Sequence, residues 1–138
     1  MSELSNYLEQ YVLTLTLKDP SKPAYLALYT TDPTDAGTGT ECSWIGYVRQ
    51  ELSFGDIVDG VVSIDAAVTF PMVVNQTLQV THIGIHDAPV NGNLLYHTIL
   101  GSWDVDITGT LVFTDGSRYL ANGDGLTIPI SGIRVTLS

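Results

Sequence analysis

The sequence predicts a mainly β fold: an antiparallel β-sandwich with one short amphipathic helix at the N-terminus. Short runs rich in Val, Ile, Thr and aromatic residues recur along most of the chain, each bounded by Gly, Pro, Asn or Asp. Such runs are typical of antiparallel sandwiches and barrels. The 138 residues, 44% of them hydrophobic, suffice for one cored domain. We therefore expect residues 1–138 to form a single β-sandwich domain.

The predicted helix lies at the start of the chain. Five apolar side chains follow the spacing of one helical face: Leu4, Tyr7, Leu8, Tyr11 and Val12. Ser2 is the expected N-cap, with Glu3 in the first turn. Residues 13–17 alternate Leu and Thr and fit either a last helical turn or a strand. Two readings of segment 1–17 stay open: it covers one face of the sandwich, or it is an arm that packs on a neighbouring subunit.

Eight strands are predicted after the helix. Their ranges are Ala24–Thr30, Tyr47–Phe54, Val61–Ile64, Ala67–Phe70, Leu78–His86, Leu94–Leu100, Val105–Phe113 and Leu126–Leu137. Asn91–Gly92 and Asp115–Gly116 are hairpin turn signals. Period-2 alternation directs Ile83 and Ile85 toward the core and places the neighbouring histidines on the opposite face.

The charge balance excludes two classes of partner. Fifteen acidic residues against five basic ones give a net charge of -10, and the cations are scattered. Without a basic patch, nucleic acid and anionic membranes are poor partners. The first ten residues lack the basic and apolar regions of a signal peptide, and no apolar run approaches the ~20 residues of a membrane span. We expect a protein made in the cytoplasm, and Cys42, the single cysteine, has no partner for an internal disulfide.

No constellation of catalytic residues is visible. The serines lie outside the Gly-x-Ser-x-Gly context of a hydrolase. His82 and His86 are four residues apart, which on a strand separates them by about 13 Å, too far to share one metal ion. Asp104 and Asp106 share one face of a predicted strand. Charges that protect a strand edge from pairing are the favoured explanation, and a calcium site is the weaker alternative. The sequence thus predicts no enzyme, no cofactor and no metal site.

One long motif resembles a known family. Residues 25–41 read YLALYTTDPTDAGTGTE, and residues 46–50 read GYVRQ. This pattern resembles a family of small tailed-bacteriophage structural proteins, often called tail-fibre proteins, and the likeness continues through residues 81–87 and 92–96. Residues 42–46 depart from it, because Trp44 and Ile45 stand where the family tends to have glycines. We expect these two side chains to form an exposed apolar tip.

The resemblance implies a virion component without enzymatic activity, assembled in the host cytoplasm. We expect a capsid decoration, or cement, protein on the particle exterior, because the chain has no coiled coil or repeat suited to a fibre shaft. The alternative is a tail-fibre or tail-tip module that contacts the host surface. The implied partners are the major capsid protein or tail proteins and copies of the chain itself, with a trimer expected by analogy.

Two sets of residues are the candidate sites. The candidate interface residues are Leu4, Tyr7, Leu8, Tyr11, Trp44, Ile45 and Trp103. The candidate loop-bracing residues are Asp32, Asp35, Glu41 and Arg49. Within the second set, Glu41 and Arg49 flank the Trp44 segment, and we expect them to form an ion pair that braces the loop.

Overall fold

The computed structural model describes residues 5–99, 112–114, 117–128, 130 and 133–136. The fold is mainly β with antiparallel sheets and one N-terminal helix, as predicted. The elements are α1 (Asn6–Leu17), β1 (Ala24–Tyr29), β2 (Gln50–Leu52), β3 (Val61–Ser63), β4 (Val68–Phe70), β5 (Leu78–Val80), β6 (His82–His86), β7 (Leu94–Ile99), β8 (Val112–Thr114), β9 (Ser117–Leu120), β10 (Leu126–Ile128) and β11 (Arg134–Thr136).

A four-stranded antiparallel sheet organises the fold in the order β2-β1-β6-β7. Strand β1 pairs along its length with β6, so that Leu26 lies opposite Ile85 and Leu28 opposite Ile83. The hairpin predicted between β6 and β7 is confirmed, with Asn91 and Gly92 both at positive φ in its turn. This matches the left-handed conformation that a tight hairpin turn requires.

The core lies between this sheet and three smaller antiparallel sheets, β10-β4, β11-β3 and β5-β9-β8. One continuous cluster joins the apolar side chains of both layers: Leu26, Leu28, Ile83 and Ile85 from the large sheet, and Val62, Phe70, Val80, Leu120, Leu126 and Ile128 from the smaller ones. Burial of one face of each sheet against the other is the arrangement of a sandwich.

Two predicted strands are each divided in the structure. The run 78–86 breaks at Thr81, because β5 pairs with β9 whereas β6 pairs with β1. The run 126–137 divides into β10, paired with β4, and β11, paired with β3. Strand β9 was not expected, although the hairpin that it forms with β8 surrounds the predicted turn at residues 115–116. Most of the predicted strand 105–113 lies outside the described residues.

Helix α1 starts later than predicted, and its structure decides against one of the two readings of this segment. Ser5, not Ser2, is the N-cap, and its hydroxyl accepts a hydrogen bond from the backbone N–H of Leu8 at 3.2 Å. The helix runs on to Leu17, which resolves residues 13–17 as helical. Its buried side chains are Glu9, Leu13 and Leu17. Tyr7, Leu8 and Tyr11 are exposed, so the reading in which these side chains cover a face of the sandwich is wrong, and the reading as an arm that packs on a neighbouring subunit stays a prediction.

The second face of the four-stranded sheet is also covered. Ala27, Tyr29, Gly84 and His86 are buried there, outside the main core cluster. A Cβ on Gly84 would lie 2.8 Å from Leu94 Cδ1 and 3.0 Å from the Tyr29 ring. The missing side chain therefore lets Leu94 and Tyr29 close over the strand. The loops described below adjoin this closed face.

Candidate functional site

A bidentate ion pair joins the two residues that were expected to brace the loop. Arg49 Nη2 donates to Glu41 Oε1 at 2.9 Å, and Arg49 Nε donates to Glu41 Oε2 at 3.0 Å. The Tyr47 hydroxyl donates to the same Oε2 at 2.6 Å. The Arg49 side chain is 8% exposed and that of Glu41 is 27% exposed. Fork geometry and partial burial distinguish this pair from an ordinary surface ion pair.

Arg49 also binds the turn between β6 and β7, in addition to Glu41. Its Nη1 donates to the carbonyl oxygens of Ala88 at 3.0 Å and Asn91 at 2.8 Å, both in the turn between β6 and β7. Four of the five guanidinium N–H donors thus have partners inside the chain. Arg49 is therefore placed to hold loops together, with most of its donor capacity already used. We call Glu41, Tyr47 and Arg49 the loop brace.

The loop brace shifts the pKa values of its members. Burial alone would raise the pKa of Glu41, but hydrogen bonds from Arg49 and Tyr47 outweigh it and lower this pKa. The hydrogen bonds to Glu41 raise the pKa of Arg49. Burial, and then the bond to Glu41, raises the pKa of Tyr47. All three groups therefore keep their ordinary charge states at neutral pH.

The other two predicted bracing residues, Asp32 and Asp35, lie apart from the loop brace and face His97 on β7. His97 Nε2 lies 2.8 Å from Asp35 Oδ1, and His97 Nδ1 lies 4.0 Å from Asp32 Oδ1. Asp32 also accepts a hydrogen bond from the backbone N–H of Thr34. Asp35 is fully exposed, so this contact contributes little to stability. Nothing in the sequence singled out His97 as the partner of this loop.

A buried Tyr–His pair lies beneath the loops. The Tyr29 hydroxyl and His86 Nε2 are 2.6 Å apart, and the two rings stack with centroids 6.0 Å apart. His86 is 5% exposed, and its Nδ1 is buried without a hydrogen-bond partner. Burial, and then the charge of Arg49, lowers the pKa of His86, while Glu41 and Asp87 oppose this shift. The fold therefore favours the neutral imidazole.

This histidine predicts acid sensitivity of the fold. Above its ordinary pKa of 6.5, His86 is neutral in both the folded and the unfolded chain. Below that pH the unfolded chain binds a proton that the folded one resists, so the free energy of unfolding should fall as the pH drops from 6.5 toward the lowered folded pKa. Urea unfolding across this range measures the effect. His86→Gln should remove this part of the slope and His82→Gln should keep it; equal slopes in all three proteins would contradict the prediction.

The expectation that Trp44 and Ile45 form an exposed apolar tip is wrong for Trp44 and agrees with the structure for Ile45. Trp44 is 6% exposed and belongs to the core, where its ring meets that of Tyr47 edge-on with centroids 4.8 Å apart. A turn closed by the hydrogen bond from Tyr47 N to Trp44 O, with Gly46 at φ 91°, directs the indole inward. Ile45, in contrast, is 73% exposed. Of these two candidate interface residues, only Ile45 is available to a partner.

A groove of about 470 Å³ lies beside the loop brace. Val48 and Val90 line it and are exposed, and Pro89 and Tyr47 complete its apolar wall. Cys42 also lines it, and burial raises the pKa of this thiol to about 12, so the thiol stays protonated. We call Val48, Pro89 and Val90 the groove rim. No local pattern in the sequence indicates that these two loops meet, so the groove rim was not among the predicted sites.

The candidate interface residues of the helix lie on its outer side. Tyr7, Leu8 and Tyr11 are exposed, and so is Leu15, which was not predicted. The rings of Tyr7 and Tyr11 stack with centroids 6.3 Å apart. Leu4 and Trp103, the remaining predicted interface residues, lie outside the described residues.

Within the part of the chain that the structure describes, no three His, Cys, Asp or Glu side chains are grouped so that they could hold a metal ion. Over the same residues, no helix has the length and apolar character needed to cross a membrane.

Comparison with known proteins identifies the family. No curated protein matches the chain. Residues 3–117 match the family described as podophage GP4 fiber I protein gp80. The match spans α1, the loop brace, the groove rim and the large sheet. This chain therefore belongs to the podophage GP4 fiber I protein gp80 family, a family of phage structural fibre proteins.

Proposed function

We propose that the protein is a non-enzymatic module of a tail fibre that contacts the host surface. The family match over residues 3–117 carries this proposal, because it is a match to a fibre protein. It favours the tail reading over the capsid decoration protein that the sequence alone led us to expect. The virion is the corresponding location, and its other proteins are the corresponding partners.

The groove rim is the surface we assign to host contact. Val48 and Val90 are exposed apolar side chains on two loops that Arg49 joins through main-chain and carboxylate hydrogen bonds. Loops held in one geometry lose little conformational entropy on binding. Exposed apolar groups on a rigid frame therefore suit recognition, whereas the same groups on a mobile loop would bind more weakly.

The protein's place in the virion is tested by its copy number. Quantitative mass spectrometry of purified particles gives the ratio of this chain to the major capsid protein. A fibre module is present at a small fraction of the capsid protein. A ratio near one would overturn the tail assignment and favour a decoration protein on the head.

Host contact is tested with the purified protein and its variants. Labelled wild-type protein should bind host cells and compete with infection. Val90→Asp should weaken cell binding by about tenfold, since it places a charge in the apolar contact. Val58→Asp makes the same change at an exposed valine outside the groove and should bind like wild type. Binding by Val90→Asp at wild-type strength would remove the groove rim from the proposal, and no binding by wild type would overturn host contact.

A further inference from the structure

His86 lies at the junction between the four-stranded sheet and the turn that carries part of the groove rim. It is the last residue of β6, and the register of β6 with β7 shifts between Ile85 and His86. The turn follows directly, and Arg49 binds it at the carbonyl oxygens of Ala88 and Asn91. A change at the His86 ring therefore bears on the position of the turn.

The surroundings of His86 suit a neutral imidazole and oppose a charged one. Its Nε2 lies 2.6 Å from the Tyr29 hydroxyl, and either form of the ring can keep this bond. Its Nδ1 is buried and meets no hydrogen-bond partner among the residues that the structure describes. Protonation would thus leave a charged N–H donor buried and unpaired, which costs more than leaving a neutral group unpaired.

The charges near His86 add to this cost. The ionisable groups around it lie on β1, on β7, in the loop after β1, before β2 and in the turn: Tyr25, Tyr29, His97, Glu41, Arg49 and Asp87. Among the charged groups, Arg49 has the largest influence and opposes a proton on His86, whereas Glu41 and Asp87 favour one. The Glu41 carboxylate already accepts hydrogen bonds from Arg49 and Tyr47. It therefore has little capacity left to stabilise a second cation.

Release of the turn relieves both costs. When the turn leaves Arg49, the end of β6 is free to move and His86 Nδ1 can reach water. Proton binding favours this released form, because an imidazole in water binds protons more tightly than a buried one. Below the ordinary pKa of 6.5, the released form gains up to about tenfold over the held form for each pH unit, until the held form binds the proton as well.

We propose that His86 is a pH sensor for the groove rim: a proton on its ring releases the β6–β7 turn from Arg49 and moves Pro89 and Val90 away from Val48. The turn moves while the sheets stay folded, which distinguishes this local change from unfolding of the whole chain. The loss of host contact in acid rests on the function proposed above, whereas the release of the turn does not.

Nuclear magnetic resonance of the full chain tests the release. Between about pH 7.5 and pH 4.5, the heteronuclear Overhauser effect at the amides of Ala88 and Asn91 should fall as the turn becomes mobile, while that of the β1 amides stays high. The midpoint should equal that of the His86 ring signal. His86→Gln keeps a polar group beside Tyr29 and takes up no proton, so its turn should stay rigid. His97→Gln removes an imidazole from the neighbouring strand and should show the wild-type transition.

The wild-type titration is decisive even where a variant fails to fold. A turn that stays rigid while His86 titrates would overturn the proposal. So would a His86 ring that stays neutral until the sheets unfold, because the turn would then have no local transition. Equal mobility of the turn in His86→Gln would show that another group controls it.

Binding of labelled protein to host cells connects the sensor with the proposed function. Wild type should bind at least about tenfold more weakly at the acid end of the titration than at pH 7.5, and His86→Gln should change by less than about twofold. If the turn is released but wild type binds cells at no pH, host contact is wrong and the sensor stands. If binding weakens equally in both proteins, the sensor does not control host contact.

Discussion

Arg49→Ala should lower the free energy of unfolding by about 2–4 kcal/mol. The substitution leaves the Glu41 carboxylate partly buried without its bidentate partner. It also removes the donor to the carbonyl oxygens of Ala88 and Asn91. Because Glu41 is 27% exposed, water can replace part of what is lost, which keeps the cost below that of a fully buried pair.

Urea unfolding at neutral pH measures this loss. Lys22→Ala removes an exposed cation and should change the free energy of unfolding by less than about 0.5 kcal/mol. In a double-mutant cycle, Arg49→Ala combined with Glu41→Ala should cost less than the sum of the single changes, because the two side chains are in contact. If Arg49→Ala were as mild as Lys22→Ala, the bracing role would be wrong.

Leu13→Ala should destabilise the fold by about 2–4 kcal/mol, whereas Leu15→Ala should change stability by less than about 0.5 kcal/mol. Leu13 is fully buried in the core and its removal leaves a cavity, while Leu15 is 54% exposed. Both substitutions introduce alanine into the same helix, so helix propensity changes alike.

Thermal and urea unfolding at a concentration where the chain is monomeric compare the two variants. This condition separates the stability of one copy of the chain from any contact between copies. If Leu15→Ala cost as much as Leu13→Ala, the helix would be rotated relative to the sheet from the orientation described above.

The sequence predicts correctly those parts of the fold in which a local residue pattern is compatible with only one structure. Strand β1 begins at the predicted residue and ends one residue early. The turn at Asn91–Gly92 was specified by residues that tolerate positive φ. The inward direction of Ile83 and Ile85 followed from alternation along β6 and is confirmed by their burial. In each case neighbouring residues carry the information.

The errors arise where distant segments decide. Helix α1 is apolar on two sides, and periodicity identifies an apolar side without telling which one meets the sheet. The run 78–86 is continuous in composition, yet the backbone N–H of Thr81 bonds to Tyr29 O and the chain passes from one sheet to another. Trp44 turns inward to join a core whose other members, such as Phe70 and Leu126, come from distant strands, and its own neighbours in the sequence do not predict this.

In the candidate site, too, contacts within one segment could be predicted from the sequence and contacts between distant segments could not. The pairing of Glu41 with Arg49 could be anticipated because the two residues lie eight apart in one segment. Their contact with the turn at 88–91 could not, since it joins residues about 40 positions apart. His97 was likewise beyond a local reading, as it meets Asp35 across 62 positions.

Arg49 contacts the β6–β7 turn through backbone atoms, which bears on which residues of that turn can be exchanged. Arg49 reaches the β6–β7 turn through the backbone oxygens of residues 88 and 91, and so it does not depend on which side chains those residues carry. Val90, exposed between them, can be exchanged while the turn keeps its shape. Single substitutions at Val90 could thus alter the surface that we propose for host contact, without rebuilding the fold that presents it.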